Sequence, residues 1–263
     1  MNDARADWIN KGFFVAEQLI DGGLIDGLLE AYENTVKPYK DELLRQNGCI
    51  EVNHFSEIGG LTNTLLDPHC YSSGSFPELA DFARYLRTIF ASEILQSYFK
   101  AAVGVNAPFI LAQSMFFDQI TTRSHQDCIY LDTIPSGNLV AVWIALQDLN
   151  EEHTRFYVYP GSHLEHLQSL TDDESYFRNL ESVINSGKYV LESPMLRKGD
   201  VLFWHSRLIH GSRHGSVPMS RRLSITGHYI PTGFAYGNDK GIIEGKDMES
   251  SDGLIYYLNS YNL

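Results

Sequence analysis

From Phe14 to Tyr32 the apolar residues Phe14, Leu19, Ile20, Leu24, Ile25, Leu28, Leu29 and Tyr32 recur mainly at three- and four-residue intervals. That spacing lines one face of a helix, and Asp21 stands where an N-cap is needed, so helix is predicted over about 10–45. Residues 76–99 repeat the pattern, with Leu79, Phe82, Tyr85, Leu86, Ile89 and Phe90 on one face. The stretch 54–71 between them mixes Gly, Asn, Asp and Pro and reads as a loop that can lie over a site.

After Pro108 the texture changes. FILAQSMFF, LVAVWIAL, FYVYP, YVLESPML, DVLFWH and RRLSITGHYI are short runs of β-branched and aromatic residues, separated by the turn formers PSGN, PGSH, RKGD and SVPMS. Many short strands without alternating helices predict a mainly β chain, an antiparallel sandwich or barrel with helices packed outside. The chain then divides into a mainly helical segment with a lid loop (1–107), a β core (108–231) and a covering tail rich in Gly, Asp and Tyr (232–263).

Composition narrows the classes. With 263 residues and 43% hydrophobic content the chain can bury a sizeable core. A formal charge of −13 argues against a nucleic-acid or anionic-membrane surface, which needs a basic field. No window approaches 18 apolar residues, and MNDARADWINKG lacks the basic start and apolar run of a signal peptide, so a soluble, cytoplasmic protein is expected. Cys49, Cys70 and Cys128 form no CxxC pair, so neither a disulfide framework nor a zinc ribbon is signalled.

The chemistry concentrates in SHQDCIY. At the start of a strand His125 and Asp127, two residues apart, project to one side. A buried carboxylate needs a partner or a metal. His210 in VLFWHSRLIHGSRH, beside Gly211, is the best third ligand, and two imidazoles with one carboxylate form the facial set that suits non-haem Fe(II). Arg221, opening the strand RRLSITGHYI, can grip the carboxylate of a dicarboxylic oxoacid cosubstrate bidentately. Arg222 then faces the opposite side of the sheet, as a solvated charge. Gln113 is a candidate for the same cavity, whereas His163, His205 and His228 read as structural and Cys128 as a packed thiol.

Taken in order, SHQDCIY, VAVWIALQDLNEE, YPGSH, KGDVLFWHSRLIHGS and SRRLSITGHYIP resemble the phytanoyl-CoA dioxygenase family of Fe(II)- and 2-oxoglutarate-dependent oxygenases, over about residues 10–231. The resemblance implies a double-stranded β-helix, the cupin-like jelly roll. It also implies iron ligation by His125, Asp127 and His210, with 2-oxoglutarate and O2 as cosubstrates. Arg221 would hold the distal carboxylate, helped by Ser212 of HGS, and Trp143 would line the cosubstrate pocket. The chain departs from the family at Glu152-His153-Thr154-Arg155, where an Asn-Gly turn is common, and at His214, where asparagine is usual. The implied activity is C–H oxidation of a small-molecule metabolite, foremost hydroxylation, in secondary metabolism. Desaturation, ring chemistry, oxidative N-dealkylation and a silent jelly-roll binding protein are the alternatives, while Asp127 fills the position that family halogenases leave open for chloride.

Overall fold

The computed structural model describes residues 2–72, 74–165, 167, 173–217, 220–238, 240–243 and 247–258. Helix α1 (Asn2–Lys11) ends at Gly12, whose φ of +79° turns the chain into β1 (Phe13–Ala16). Phe14 therefore lies in a strand, where its ring stacks on Phe203 at 4.5 Å, and not in the predicted helix. The helix proper, α2 (Gly22–Ala31), starts where expected, because Asp21 Oδ1 accepts from the N–H groups of Gly23 (2.9 Å) and Leu24 (3.1 Å). The following loop carries three short strands, β2 (Leu43–Leu44), β3 (Ile50–Glu51) and β4 (Leu65–Leu66). The second apolar pattern forms two helices, α3 (Ala80–Phe90) and α4 (Glu93–Val103), broken by extended Ser92 (φ −50°, ψ 123°).

The predicted strands then follow as β5 (Phe109–Phe117), β6 (Asp132–Ile134), β7 (Val140–Ala145) and β8 (Arg155–Val158). A helix that the sequence reading omitted, α5 (Asp173–Asn185), precedes β9 (Val201–His205), β10 (His210–Arg213) and β11 (Ser224–Pro231). YVLESPML is no strand. Its backbone pairs with the sheet through one bridge, Glu192 to Val158, and Pro194 lacks the N–H that would extend it. Beyond residue 231 come β12 (Ala235–Asn238), β13 (Gly241–Ile242), β14 (Met248–Ser251) and β15 (Leu254–Tyr257), so the expected covering tail adds strands to both sheets.

The large sheet runs β1-β9-β7-β11-β5-β15-β14, with β4 also on β5; opposite lie the β8–β10 pair and the β6–β12–β13 ribbon. This is the double-stranded β-helix, a cupin-like jelly roll flanked by helices. One face of the large sheet packs Val142, Phe203, Ile225 and Tyr229 against Leu28, Phe82, Leu86 and Phe99 of the helices. The other face, with Ala141, Trp143, Trp204 and Ile230, meets Phe156 and Val158 of the small sheet. A bulge in the β11–β5 pairing between His228 and Tyr229 changes the alternation of β5. Ile110 and Ala112 face the inter-sheet core before it, and Gln113, Met115 and Phe117 line a cavity after it. No described helix is long and apolar enough to cross a membrane, and the three cysteines form no disulfide.

Candidate metal centre and cosubstrate cavity

His125 does not open a strand. It makes a single antiparallel bridge with His210, each N–H donating to the other's carbonyl (2.9 and 3.0 Å), and Asp127 begins a short 3-10 turn, Asp127–Ile129. One extended residue between them, Gln126 (φ −113°, ψ 138°), suffices to put His125 and Asp127 on the same side. Gln126 itself turns away and donates from Nε2 to the carbonyls of Glu165 and Arg207. Its backbone N–H donates to the hydroxyl of Tyr176 on α5 (2.9 Å), which ties the omitted helix to the ligand turn.

The bridge brings the two imidazole rings to 4.2 Å between centroids. Asp127 Oδ1 lies 3.4 Å from His125 Nε2 and 3.5 Å from His210 Nε2, and the three potential ligand atoms all fall within 4.8 Å of one another. His125 Nδ1 contacts the Arg123 carbonyl at 2.8 Å and His210 Nδ1 that of Leu208 at 2.9 Å. A carbonyl only accepts, so both Nδ1 atoms carry the proton and both Nε2 lone pairs face Asp127. Burial pushes the His210 pKa down to about 3, keeping that ring in its neutral, metal-binding form. Burial opposes ionisation of Asp127, but the imidazoles of His210, His228 and His125 gathered around it outweigh burial and hold the carboxyl well below its usual range. Two fixed imidazole lone pairs and a carboxylate on one side of a cavity fit a facial divalent-metal site.

The outer oxygen of Asp127 is held as well. Trp204 Nε1 donates to Oδ2 at 2.7 Å, and His228 Nε2 lies 3.5 Å from the same atom. His228, which the sequence reading set aside for want of a motif, thus faces the centre. The signal lay in strand parity, since Arg222, Ser224, Thr226 and His228 share one side of β11 and its N-terminal approach.

The cavity beside these residues has a volume of about 420 Å³, and Trp143 and Gln113 are among the residues that line it. It is also lined by Arg222 and not by Arg221, which corrects the expected order. Arg221 points outward and clasps Asp118, from Nε to Oδ1 (2.6 Å) and from Nη2 to Oδ2 (2.9 Å). Arg222, expected in solvent, is 1% exposed, lies over the rings of Phe117 (5.2 Å) and Trp143 (5.9 Å), and donates to the Ile120 carbonyl at 2.8 Å. Alternation separates the two arginines as argued, but only the pairing of β11 with β7 and β5 decides which faces inward. Burial lowers the Arg222 pKa to about 10, so the guanidinium remains charged at neutral pH. Ser212 is likewise outside the lining; its Oγ accepts from Thr122 N at 2.6 Å.

Arg222 Nε, Ser224 Oγ, Thr226 Oγ1 and His228 Nδ1 are buried without a hydrogen-bond partner among the described residues. Four orphaned polar atoms along one side of one strand, with a buried cation at its end, fit a polar, anionic occupant such as a dicarboxylate. His163 bonds the Ile9 carbonyl (3.1 Å) and packs with His205 away from the cavity (ring centroids 5.4 Å), while Cys128 is buried in an apolar cluster.

A jelly roll with a His-Asp-His cluster in its mouth defines a cupin-like, metal-site protein. Residues 11–223 match the phytanoyl-CoA dioxygenase (PhyH) family profile. The chain belongs to that family, the one its motifs resemble. The peroxisomal phytanoyl-CoA dioxygenase of Bos taurus is 26% identical over 132 residues, 48% of this chain and 37% of that protein. Phytanoyl-CoA dioxygenase domain-containing protein 1 of Danio rerio is 25% identical over 125 residues, 44% of this chain and 43% of that protein. The matched stretches thus span about two fifths of these curated relatives' length. Among solved structures, the epimerase SnoN in complex with Fe3+, alpha ketoglutarate and nogalamycin RO superposes with a TM-score of 0.67 at 18% identity, covering 98% of each chain. EctD from S. alaskensis with 2-oxoglutarate and 5-hydroxyectoine gives 0.64 at 18% identity, covering 91% of this chain and 79% of that one.

Proposed function

We propose that this protein is an Fe(II)- and 2-oxoglutarate-dependent oxygenase that oxidises a C–H bond of a small metabolite, foremost by hydroxylation, in the cytoplasm and in secondary metabolism. The observation that carries the reading is the convergence of His125, Asp127 and His210 in the same cavity as buried Arg222. His125 Nε2, Asp127 Oδ1 and His210 Nε2 would hold the iron. When bound, iron with 2-oxoglutarate and O2 supplies the oxidising chemistry. The chain's own part is placement. Arg222 binds the distal carboxylate of 2-oxoglutarate, its orientation fixed by the Ile120 carbonyl and its faces covered by Phe117 and Trp143. Thr226 and Gln113 offer uncharged hydrogen-bonding groups along the cavity, and Phe156, Leu131 and Tyr236 keep bulk water from its walls. A volume of about 420 Å³ suits a small molecule, and the two solved relatives named above hold compounds of that kind, nogalamycin RO and 5-hydroxyectoine.

The test is anaerobic addition of Fe(II) and then 2-oxoglutarate, followed by the visible charge-transfer band and, after O2 is admitted, by succinate release. Both signals are expected in the wild type, and both should be lost in His210→Ala. Iron binding that never responds to 2-oxoglutarate would sink the reading.

A further inference from the structure

Two arginines line the cavity, and their exposure differs. Arg222 is fully buried, whereas Arg123 is exposed and stands at the mouth. The Arg123 guanidinium carbon lies 3.4 Å from the ring centroid of Phe177 on α5. The ring holds one face of the cation and leaves its N–H edges for another group. Arg84, Arg178 and Arg221 are each ion-paired with a carboxylate; Arg123 makes no side-chain hydrogen bond or ion pair among the described residues. Its backbone is fixed relative to the centre, because its carbonyl accepts from His125 Nδ1 at 2.8 Å. Beyond the metal-binding side chains, His228 and the two arginines, the lining is apolar, as at Leu66, Met115 and Tyr130, or neutral, as at Gln46 and Gln113. In a chain of net charge −13, a stacked cation without a carboxylate partner among the described residues, at the mouth of such a cavity, is suited to a negatively charged ligand.

Resting on the oxygenase reading above, we propose that the oxidised substrate carries an anionic oxyacid group, a carboxylate or a phosphate, that Arg123 grips at the cavity mouth while an apolar portion reaches towards His125, Asp127 and His210. Arg222 is reserved for the cosubstrate, so the two anions occupy separate cations.

The test is isothermal titration calorimetry on the full chain, loaded with Zn2+ in place of iron and saturated with 2-oxoglutarate. The probes are hexanoate, hexyl phosphate and the uncharged hexanamide. At least one anion is expected to bind the wild type tenfold or more tightly than hexanamide, and the stronger of the two identifies the oxyacid. In Arg123→Gln that preference disappears while 2-oxoglutarate still binds, and Phe177→Leu weakens the anion more than the amide. Equal binding of anion and amide to the wild type, no binding by any probe, or a preference retained in Arg123→Gln overturns the proposal. Failure of the wild type to take up 2-oxoglutarate is a separate result; it overturns the oxygenase reading and the inference that rests on it.

Discussion

The two oxygens of Asp127 have different surroundings: Oδ1 faces the imidazoles of His125 and His210, and Oδ2 is taken by the indole N–H of Trp204. A carboxylate pinned on its outer oxygen offers the inner one in a fixed direction, which is how groups behind a ligand raise metal affinity. Trp204→Phe keeps the ring and removes the donor, so metal affinity should fall by about 10–100-fold in competition with a chromophoric chelator. Unchanged affinity would reduce Trp204 to packing. His125→Ala, Asp127→Ala and His210→Ala each remove one of three donors and should retain little iron by metal analysis; near-normal content in any of them would exclude that residue from the centre. The arginine pair gives a sharper contrast. Arg222→Met should weaken 2-oxoglutarate binding by at least about tenfold, roughly 1.4 kcal/mol, in a calorimetric titration. Arg221→Met should leave that affinity within about twofold, because Arg221 spends its donors on Asp118 and Glu33. Equal losses would refute the inward placement of Arg222.

At the scale of elements, what could be read from the sequence tracks how local each signal is. The runs that became β7 and β9 are almost continuously apolar because both faces are covered, by helices on one side and the inter-sheet core on the other. His-x-Asp was legible because one extended residue is enough to align two side chains. The exchange of Arg221 with Arg222 was not, since alternation states that neighbours face opposite ways, and only cross-strand register says which way is in. Helix α5 was missed although Tyr176, Leu180 and Val183 recur at helical spacing, because the polar stretch before it masks its start. That helix supports the centre through the Tyr176 hydroxyl, which accepts the buried N–H of Gln126. Tyr176→Phe leaves this donor unmet, so a loss of about 1–3 kcal/mol is expected from urea midpoints, together with weaker metal retention. A stability loss with metal retention unchanged would show that α5 supports the fold and not the ligand turn.

Across the whole molecule, Asp118 joins three parts that are distant in sequence. Its fully buried carboxylate accepts from the Tyr32 hydroxyl after α2 (2.8 Å), from Leu61 N in the lid loop (2.9 Å) and from two donors of Arg221 before β11. That loop in turn delivers Leu66 to the cavity wall, so the same carboxylate that holds Arg221 outward also seats one side of the cavity. Helices and lid are therefore coupled to the jelly roll through a charge, on top of the apolar packing of Tyr32, Phe82 and Phe116. Asp118→Asn keeps the shape and removes the negative charge facing Arg221, which stays partly exposed and paired with Glu33, so a loss of about 1–3 kcal/mol is expected. The loss should be local before it is global. Hydrogen exchange should accelerate at residues 32–36 and 56–66, which lose their common anchor, while β7 and β9 keep their protection because their ladder and packing are untouched. A uniform acceleration across all strands would mean that Asp118 stabilises the fold as a whole and is not a local anchor for these segments.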